Sequence, residues 1–459
     1  MLEHNVPARS LPCLLRGEMM AVSGEQREAI GASAMRKAFW RIIPLILVAY
    51  LFAYMDRVNV SFAAADMNAD LGFSATVYGL GGGLFFLGYA LFEIPSNLML
   101  VRFGARKWIA RIMITWGLLS AGMMFVQTAE QFYVLRFALG VAEAGFYPGV
   151  ITYFSGWFPP CHRSRAVSRF YIAGPLASMV MGTMSGWLLG LDGLSGLQGW
   201  QWLFLVQGLP TVLVGLMVLR FLPDSPEVVA WLNPAEKNWI TQELAREQRL
   251  IGGPVSHNVR AIFRNPVVLL NGAIGFTCIG AFITFTLSAP MVLAAATGWN
   301  ATEIGYLVGL GGLIGTAATL WLGNRADRRG DRLIYAFACA AVASASLLVM
   351  LLAPSPLIVV LAYLAFATVS FSIAMLVSSG WADALSAREI AVGAAAINTI
   401  SQIGAFLSPF AWGAATDATG SFDAGLAGIA LMMAVNAGLI WVLRSQVRGR
   451  VRPAALAMA

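Results

Sequence analysis

Two ionisable residues, Asp56 and Arg57, stand side by side near the end of an apolar run, YLFAYMDRVNVSFAA. Two more, Arg136 and Glu143, interrupt another, FYVLRFALGVAEAGFYPG. At bilayer depth an Asp or Arg costs roughly 2.5 to 3.5 kcal/mol, so such side chains pair with one another or line a watery cavity. Unpaired, Asp56, Arg57 and Arg136 would together cost roughly 7 to 10 kcal/mol. The chemistry they offer is anion binding with proton exchange. The planar arginine fork takes a carboxylate through two parallel hydrogen bonds and stays charged. A carboxyl group gains proton affinity on desolvation and loses it beside an arginine. Protonation of Asp56 or Glu143 is therefore expected to free an arginine for a substrate carboxylate. The competing reading is a structural ion pair between the first and fourth apolar segments, which gains little over apolar packing.

Helix geometry makes these four residues one candidate site. At 1.5 Å per residue, Arg57 lies about 24 Å from the start of its segment and Arg136 about 8 Å from the far end of its own, so their depths are similar. Glu143 follows Arg136 by two turns on the same face, roughly 10 Å further along the axis. Asp56 and Arg57 splay about 100° apart, so that one can face a cavity while the other meets a neighbouring helix.

The elements that must hold them are membrane spans. Of 459 residues, 58% are hydrophobic and 12% charged, and the mean hydropathy is +0.72, far from a soluble composition. Apolar runs of about 20 residues or more, enough to cross roughly 30 Å of hydrocarbon as a helix, recur along the chain. The alternating short strands of a barrel are missing from the pattern. Spans are predicted at about 39–62, 76–100, 108–127, 131–155, 166–190 and 200–222, then 266–296, 302–323, 333–353, 356–382, 390–414 and 421–443. The expected fold is an all-α integral membrane protein with twelve transmembrane helices, in two pseudo-symmetric six-helix bundles around a central cavity. Its parts are a disordered cytoplasmic tail (1–35), a first bundle (36–222), a cytoplasmic linker with helical spacing around Trp239 and Leu244 (223–265), a second bundle (266–443) and a cytoplasmic tail (444–459).

The net charge of +7 reports topology rather than a nucleic-acid partner, because the basic residues sit in short blocks between apolar runs. With the N-terminus inside, alternate loops collect Arg36, Lys37 and Arg41, then Arg102, Arg106, Lys107 and Arg111, then Arg325, Arg328, Arg329 and Arg332. The opposite loops carry acids such as Asp66, Asp70, Glu303 and Asp417 and no Lys or Arg. Of the 30 Lys and Arg, Arg57 and Arg136 alone lack a cytoplasmic place. Cys13, Cys161, Cys278 and Cys339 have neither metal nor disulfide spacing. His4, His162 and His257 all fall outside the spans, against an intramembrane metal or histidine relay. No cofactor is expected beyond a coupling proton.

An internal repeat joins the halves. LGFSATVYGLGGG from Leu71 aligns with TGWNATEIGYLVG from Thr297, pairing Gly79 with Gly305 and Gly83 with Gly309. The same offset sets RFGAR (Arg102 to Arg106) against RRGDR (Arg328 to Arg332). Two parallel six-helix repeats imply a site near the midplane between them.

The basic loops VRFGARK and GNRADRRGDR resemble the gating-loop motif of the major facilitator superfamily. YMDRVN, the run from VYGLGGG to RFGARK, FYVLRFALGVAEAGFYPG and AAAINTISQIGAFLSPFAWG are similar to the anion:cation symporter family within it, over Phe39 to Leu443. That family includes permeases for tartrate, phthalate, hydroxyphenylacetate and sugar acids. By position the resemblance implies that Arg57 and Arg136 bind substrate, that Tyr89 and Asn398 hydrogen-bond it, and that Asp56 and Glu143 couple protons. It implies a gate built on Arg102, Gly104, Arg106, Asp327, Arg328, Gly330 and Arg332. Two departures bear on the substrate. The fifth span, YIAGPLASMVMG, lacks the glutamine of sugar-acid members, and the seventh, GAFITFTLSAPMV, offers Phe282, Phe285 and Thr286 in place of tyrosine and tryptophan. A less hydroxylated or aromatic carboxylate is left more open.

Other polar residues have blander uses. Glu93 in LFEIPSN lies nearer the cytoplasmic end and is expected to fix the gate loop. Asn398, Ser401 and Gln402 share one side of a helix, and Phe282, Phe285 and Trp381 read as packing. The glycine runs at 81–83 and 311–312 suit close helix contact, having no P-loop lysine. The leading reading is proton-coupled uptake of a small organic carboxylate by a monomer in the bacterial inner membrane, termini cytoplasmic. The alternative is an exporter of drugs or metabolites by proton antiport. An enzyme is not expected, since no span holds a histidine and no Ser or Cys sits in a nucleophile motif.

Overall fold

The computed structural model describes residues 13–159, 162–163, 165–167, 173–251, 265–353, 355–378 and 390–456. The first half contains α1 (Cys13–Leu71), α2 (Ala75–Phe103), α3 (Ala105–Gly122), α4 (Ala129–Glu143), α5 (Phe146–Ser155), α6 (Ala173–Leu189) and α7 (Gly199–Phe221). Helix α8 (Pro234–Ile251) lies between the halves in sequence. The second half contains α9 (Pro266–Thr297), α10 (Ala301–Arg329), α11 (Arg332–Leu352), α12 (Pro356–Ser378), α13 (Ile390–Thr419) and α14 (Asp423–Leu456). Taking α4 and α5 as one crossing, the halves supply six crossings each. Ten spans among the described residues are long and apolar enough on their own to cross a bilayer.

Side-chain caps set the helix starts. Ser74 accepts from the Val77 amide, Thr128 from Gln131, and Asn300 with Glu303 forms a reciprocal capping box. Gly104 and Gly330, one at each basic loop, carry positive φ of 86° and 67° and let the chain turn where a side chain would strain it.

One expectation is corrected. Residues 13–35 are helical and continue into the first span as one 59-residue helix. The stretch AIGASAM is rich in small residues without a proline, and it has a surface to cover: Ala34, Met35 and Ala38 are fully buried and Gly31 packs on the Trp239 ring of α8. Glu236 of α8 ties the contact, accepting from Lys37 at 2.9 Å and Ser33 at 2.7 Å while capping α8 through the Asn233 amide at 2.9 Å. Trp231 stacks on Trp157 at 5.7 Å under the Arg41 guanidinium, so this segment belongs to the first half. Residues 1–12 of the expected tail lie outside the described residues. The fourth span runs over Ala129–Ser155 as expected but is kinked, with Ala144 non-helical and Gly145 left-handed (φ 83°) between α4 and α5. Pro148, with no amide hydrogen to donate, suits the first turn of α5.

Burial acts to raise the Glu236 carboxyl's proton affinity, but the bonds from Lys37, Asn233 and Ser33 outweigh it and hold the group below the usual carboxylate range. A depressed folded value stabilises above the unfolded value, about pH 4.3, and that contribution is lost as pH falls through the lower folded value. Glu236→Ala is expected to loosen the docked start of α1 by about 2 kcal/mol. Limited proteolysis should then cut between residues 13 and 35 at neutral pH, whereas the parent chain resists until pH falls below about 4.

The halves meet most closely at the face opposite the start of α1. There α2 packs on α13 and α6 on α10. A Cβ added to Gly79 or Gly83 would strike the backbone of Pro409 or Phe406, and Gly182 and Gly305 lie backbone to backbone. Asp417 of α13 caps α2 across the gap, accepting from Ala75 and Thr76 at 2.9 and 2.8 Å. Tyr78 donates to the Leu287 carbonyl at 3.0 Å.

Candidate functional site

Helix α1 carries Arg57 to the end of α4, where the break at Ala144 and Gly145 leaves Glu143 as the last helical residue. Arg57 Nε donates to Glu143 Oε1 at 2.6 Å and Nη2 lies 2.5 Å from the same oxygen. The pair is lopsided. Glu143 is fully buried and its Oε2 has no partner among the described residues, while the Arg57 side chain is 28% exposed. The Tyr89 ring of α2 sits 5.5 Å from the guanidinium, a separation at which a cation is attracted to an aromatic face.

Asp56 points the other way, into the first bundle. It is 2% exposed and accepts from Asn59 at 3.0 Å, from the Trp116 indole at 2.8 Å and from Ser120. Asn59 also donates to Gln207 of α7 at 2.5 Å, and Gln207 donates to the Phe52 carbonyl at 3.3 Å. Of the two carboxylates expected to be released from an arginine, Glu143 holds one, while Asp56 has no described Lys or Arg nitrogen within 4 Å. Three neutral donors satisfy it instead.

Arg136 is 2% exposed, donates to the Gly81 carbonyl at 3.3 Å and lies 4.9 Å from the Phe85 ring. It forms no ion pair within 4 Å among the described residues, and Arg57 rather than Arg136 holds Glu143. Asn398 of α13 donates to Glu93 of α2 at 2.8 Å, joining the halves one helical turn along from Tyr89. Ser401 donates back to the Ile397 carbonyl of its own helix, and Trp381 lies outside the described residues.

The residues that the resemblance assigns to a gate stand at the two basic loops. Arg106 pairs with Asp224 at 3.1 Å, and Asp327 with Arg332 at 2.7 Å. Arg102 lies over the Phe103 ring at 5.6 Å, Gly104 and Gly330 make the turns, and Arg328 sits in the last turn of α10. Asp331 caps α11 and takes the Arg444 fork at 2.8 Å.

Sequence reasoning missed Asn59, Trp116, Ser120 and Gln207 around Asp56, and the bonds of Asp417 to the other half. Gln207 had a signal, an amide in the middle of a span whose other amide and whose arginine, Gln201 and Arg220, stand near its ends. Ser120 and Trp116, four residues apart on one helix face, had one only once α3 was known to neighbour α1.

Residues 46–409 match the Major Facilitator Superfamily profile. A protein of Agrobacterium vitis named "Putative tartrate transporter" is 40% identical over 415 residues, spanning 90% of this chain and 91% of its own. A "Quinolone resistance transporter" of Acinetobacter baumannii is 36% identical over 415 residues, spanning 89% and 94%. Among solved structures, the inward-open xylose transporter XylE of E. coli aligns with a TM-score of 0.69 at 15% identity, covering 87% of this chain and 95% of that one. That likeness concerns the fold.

Proposed function

Because the chain belongs to the Major Facilitator Superfamily, we propose that it is a symporter bringing a small organic carboxylate into the cell together with a proton. The carrying observation is the unequal Arg57–Glu143 pair. A purely structural pair would be expected to satisfy both carboxylate oxygens, whereas here Glu143 Oε2 has no partner among the described residues and the arginine remains partly exposed.

The proposed cycle turns on that surplus. A substrate carboxylate competes for Arg57 and takes its fork through two charge-assisted bonds. Glu143 is then buried without its cation, and burial favours the neutral acid, so it takes a proton. Substrate and proton load together, and the halves rock around them. With the start of α1 and α8 placed in the cytoplasm, the glycine seal closes the periplasmic side and the state is inward-facing. Asp56, held by neutral donors, would set the position of α1 and hence of Arg57. The resemblance to a quinolone resistance transporter favours a second reading, export by proton antiport.

Proteoliposomes with an inward proton gradient separate the two readings. Accumulation of at least one acid from a panel of tartrate, phthalate, 4-hydroxyphenylacetate and gluconate supports uptake. Expulsion of a neutral or cationic compound, with no acid accumulated, supports export. Glu143→Gln keeps the shape and removes the titration: gradient-driven accumulation is expected to fall about 100-fold, while exchange of labelled for unlabelled substrate continues.

A further inference from the structure

A groove opens at the cytoplasmic start of the first span, well away from the Arg57–Glu143 pair. Met35, Arg36, Phe39 and Trp40 of α1 line it, together with His162 and Arg165 from the segment between α5 and α6. It encloses about 300 Å³. Along α1, Trp40 is about 25 Å from Arg57.

The groove collects the cations that the surrounding surface leaves unused. Beside Arg36, Lys37 is tied to Glu236 of α8 at 2.9 Å. Beside Arg165, Arg163 takes both oxygens of Glu247 of α8 at 2.9 and 2.8 Å. Arg27 pairs with Glu243, and Arg41 lies on the Trp231 ring. Arg36 and Arg165 are exposed and form no ion pair among the described residues, of which no Asp or Glu lines the groove. Burial and, after it, the Arg165 charge push the His162 imidazole below its usual range, a further sign that no described carboxylate balances this charge.

Depth and shape select the anion that would balance it. Phe39 opens the first predicted span and Arg165 immediately precedes the fifth, so both arginines stand where hydrocarbon gives way to headgroups. Trp40 is 77% exposed, and a ring with an apolar body and a polar N–H suits that boundary. A phosphodiester offers two anionic oxygens to arginine forks, while Met35 and Phe39 give its glycerol and first methylenes an apolar floor.

We propose that the groove binds one anionic phospholipid of the cytoplasmic leaflet, its phosphate between Arg36 and Arg165 and its glycerol against Trp40. Basic pockets between spans on that side take anionic headgroups. The lipid would bridge α1 to the start of the fifth span, the same two segments that α8 joins through Glu236 and Glu247. The cytoplasmic end of the first half is then held by a lipid and by α8 together.

The test is equilibrium binding of labelled phosphatidylglycerol to the full chain, delipidated in a neutral detergent. The expected result is one phosphatidylglycerol per chain, bound at least about tenfold more tightly than phosphatidylcholine. Arg36→Gln with Arg165→Gln keeps most of each stem and should weaken binding about 30-fold. Its melting temperature in lipid-free detergent should match the parent's, since no described ion pair is lost. Arg165→Gln alone should weaken binding about fivefold, which keeps the test intact if the double variant does not fold. Arg328→Ala with Arg329→Ala, which removes two cations from the end of α10, should leave binding unchanged. Equal affinity for phosphatidylcholine, no loss in the glutamine variants, or an equal loss in the α10 variant overturns the site. Displacement of the lipid by low millimolar inorganic phosphate overturns the lipid assignment and makes the groove a site for soluble anions.

Discussion

Arg57→Ala is expected to lower gradient-driven carboxylate uptake at least about 100-fold, to the level of protein-free vesicles. Two charge-assisted hydrogen bonds in a water-poor site are worth roughly 3 kcal/mol, and each 1.4 kcal/mol is a factor of ten in affinity. Arg57→Lys keeps the charge and loses the fork, so it should retain a small fraction of uptake with a much raised KM. Arg57→Ala also leaves Glu143 buried without the one ion-pair partner it has among the described residues. Removing one partner of a buried pair costs about 3 to 5 kcal/mol when the other stays charged. The double variant Arg57→Ala with Glu143→Gln removes that penalty. It should recover thermal stability without recovering uptake, which separates loss of binding from loss of folding.

Gly182→Leu is expected to abolish transport in a different way. The backbones of Gly182 and Gly305 lie so close that any side chain on either must push α6 and α10 apart. Overpacking costs typically 1 to 3 kcal/mol where neighbours can shift, and here the easiest shift is separation of the two halves at the sealed face. Transport should fall roughly 50-fold while the protein remains folded, because the seal cannot re-form in each cycle. Ser61→Cys, 2% exposed at the inner end of the space above the Gly182–Gly305 contact, reports the change. A membrane-impermeant maleimide should label it faster with Gly182→Leu than without, and an unchanged rate would contradict the gate assignment.

The spans were legible in the sequence because each must satisfy its backbone internally and so advertises itself as a long apolar run. The repeat was legible too, and the structure gives it a physical meaning: Gly79 and Gly305, paired by register in the sequence, both sit where a helix of one half presses on the other. Less visible was what depends on neighbours. Counting residues along straight axes put Arg57 level with Arg136 and Glu143 well beyond, yet Arg57 reaches Glu143. Axial counting takes no account of helix tilt, of a long flexible side chain or of the break at Gly145. The partners of Asp56 come from α3 and α7, and no spacing rule says which helices flank α1. Residues 13–35 read as a tail because their composition is mixed, but the surface that holds them, Glu236 and Trp239, is 200 residues away.

Coupling is tested most directly by recording internal pH with an entrapped dye in proteoliposomes that start without a gradient. On external addition of a transported acid from the panel, the interior is expected to acidify in a fixed ratio to labelled uptake. The signal should be reduced to that of protein-free vesicles by Arg57→Ala and uncoupled from exchange by Glu143→Gln. Substrate accumulation with no proton movement, or alkalinisation as substrate enters, would contradict proton symport.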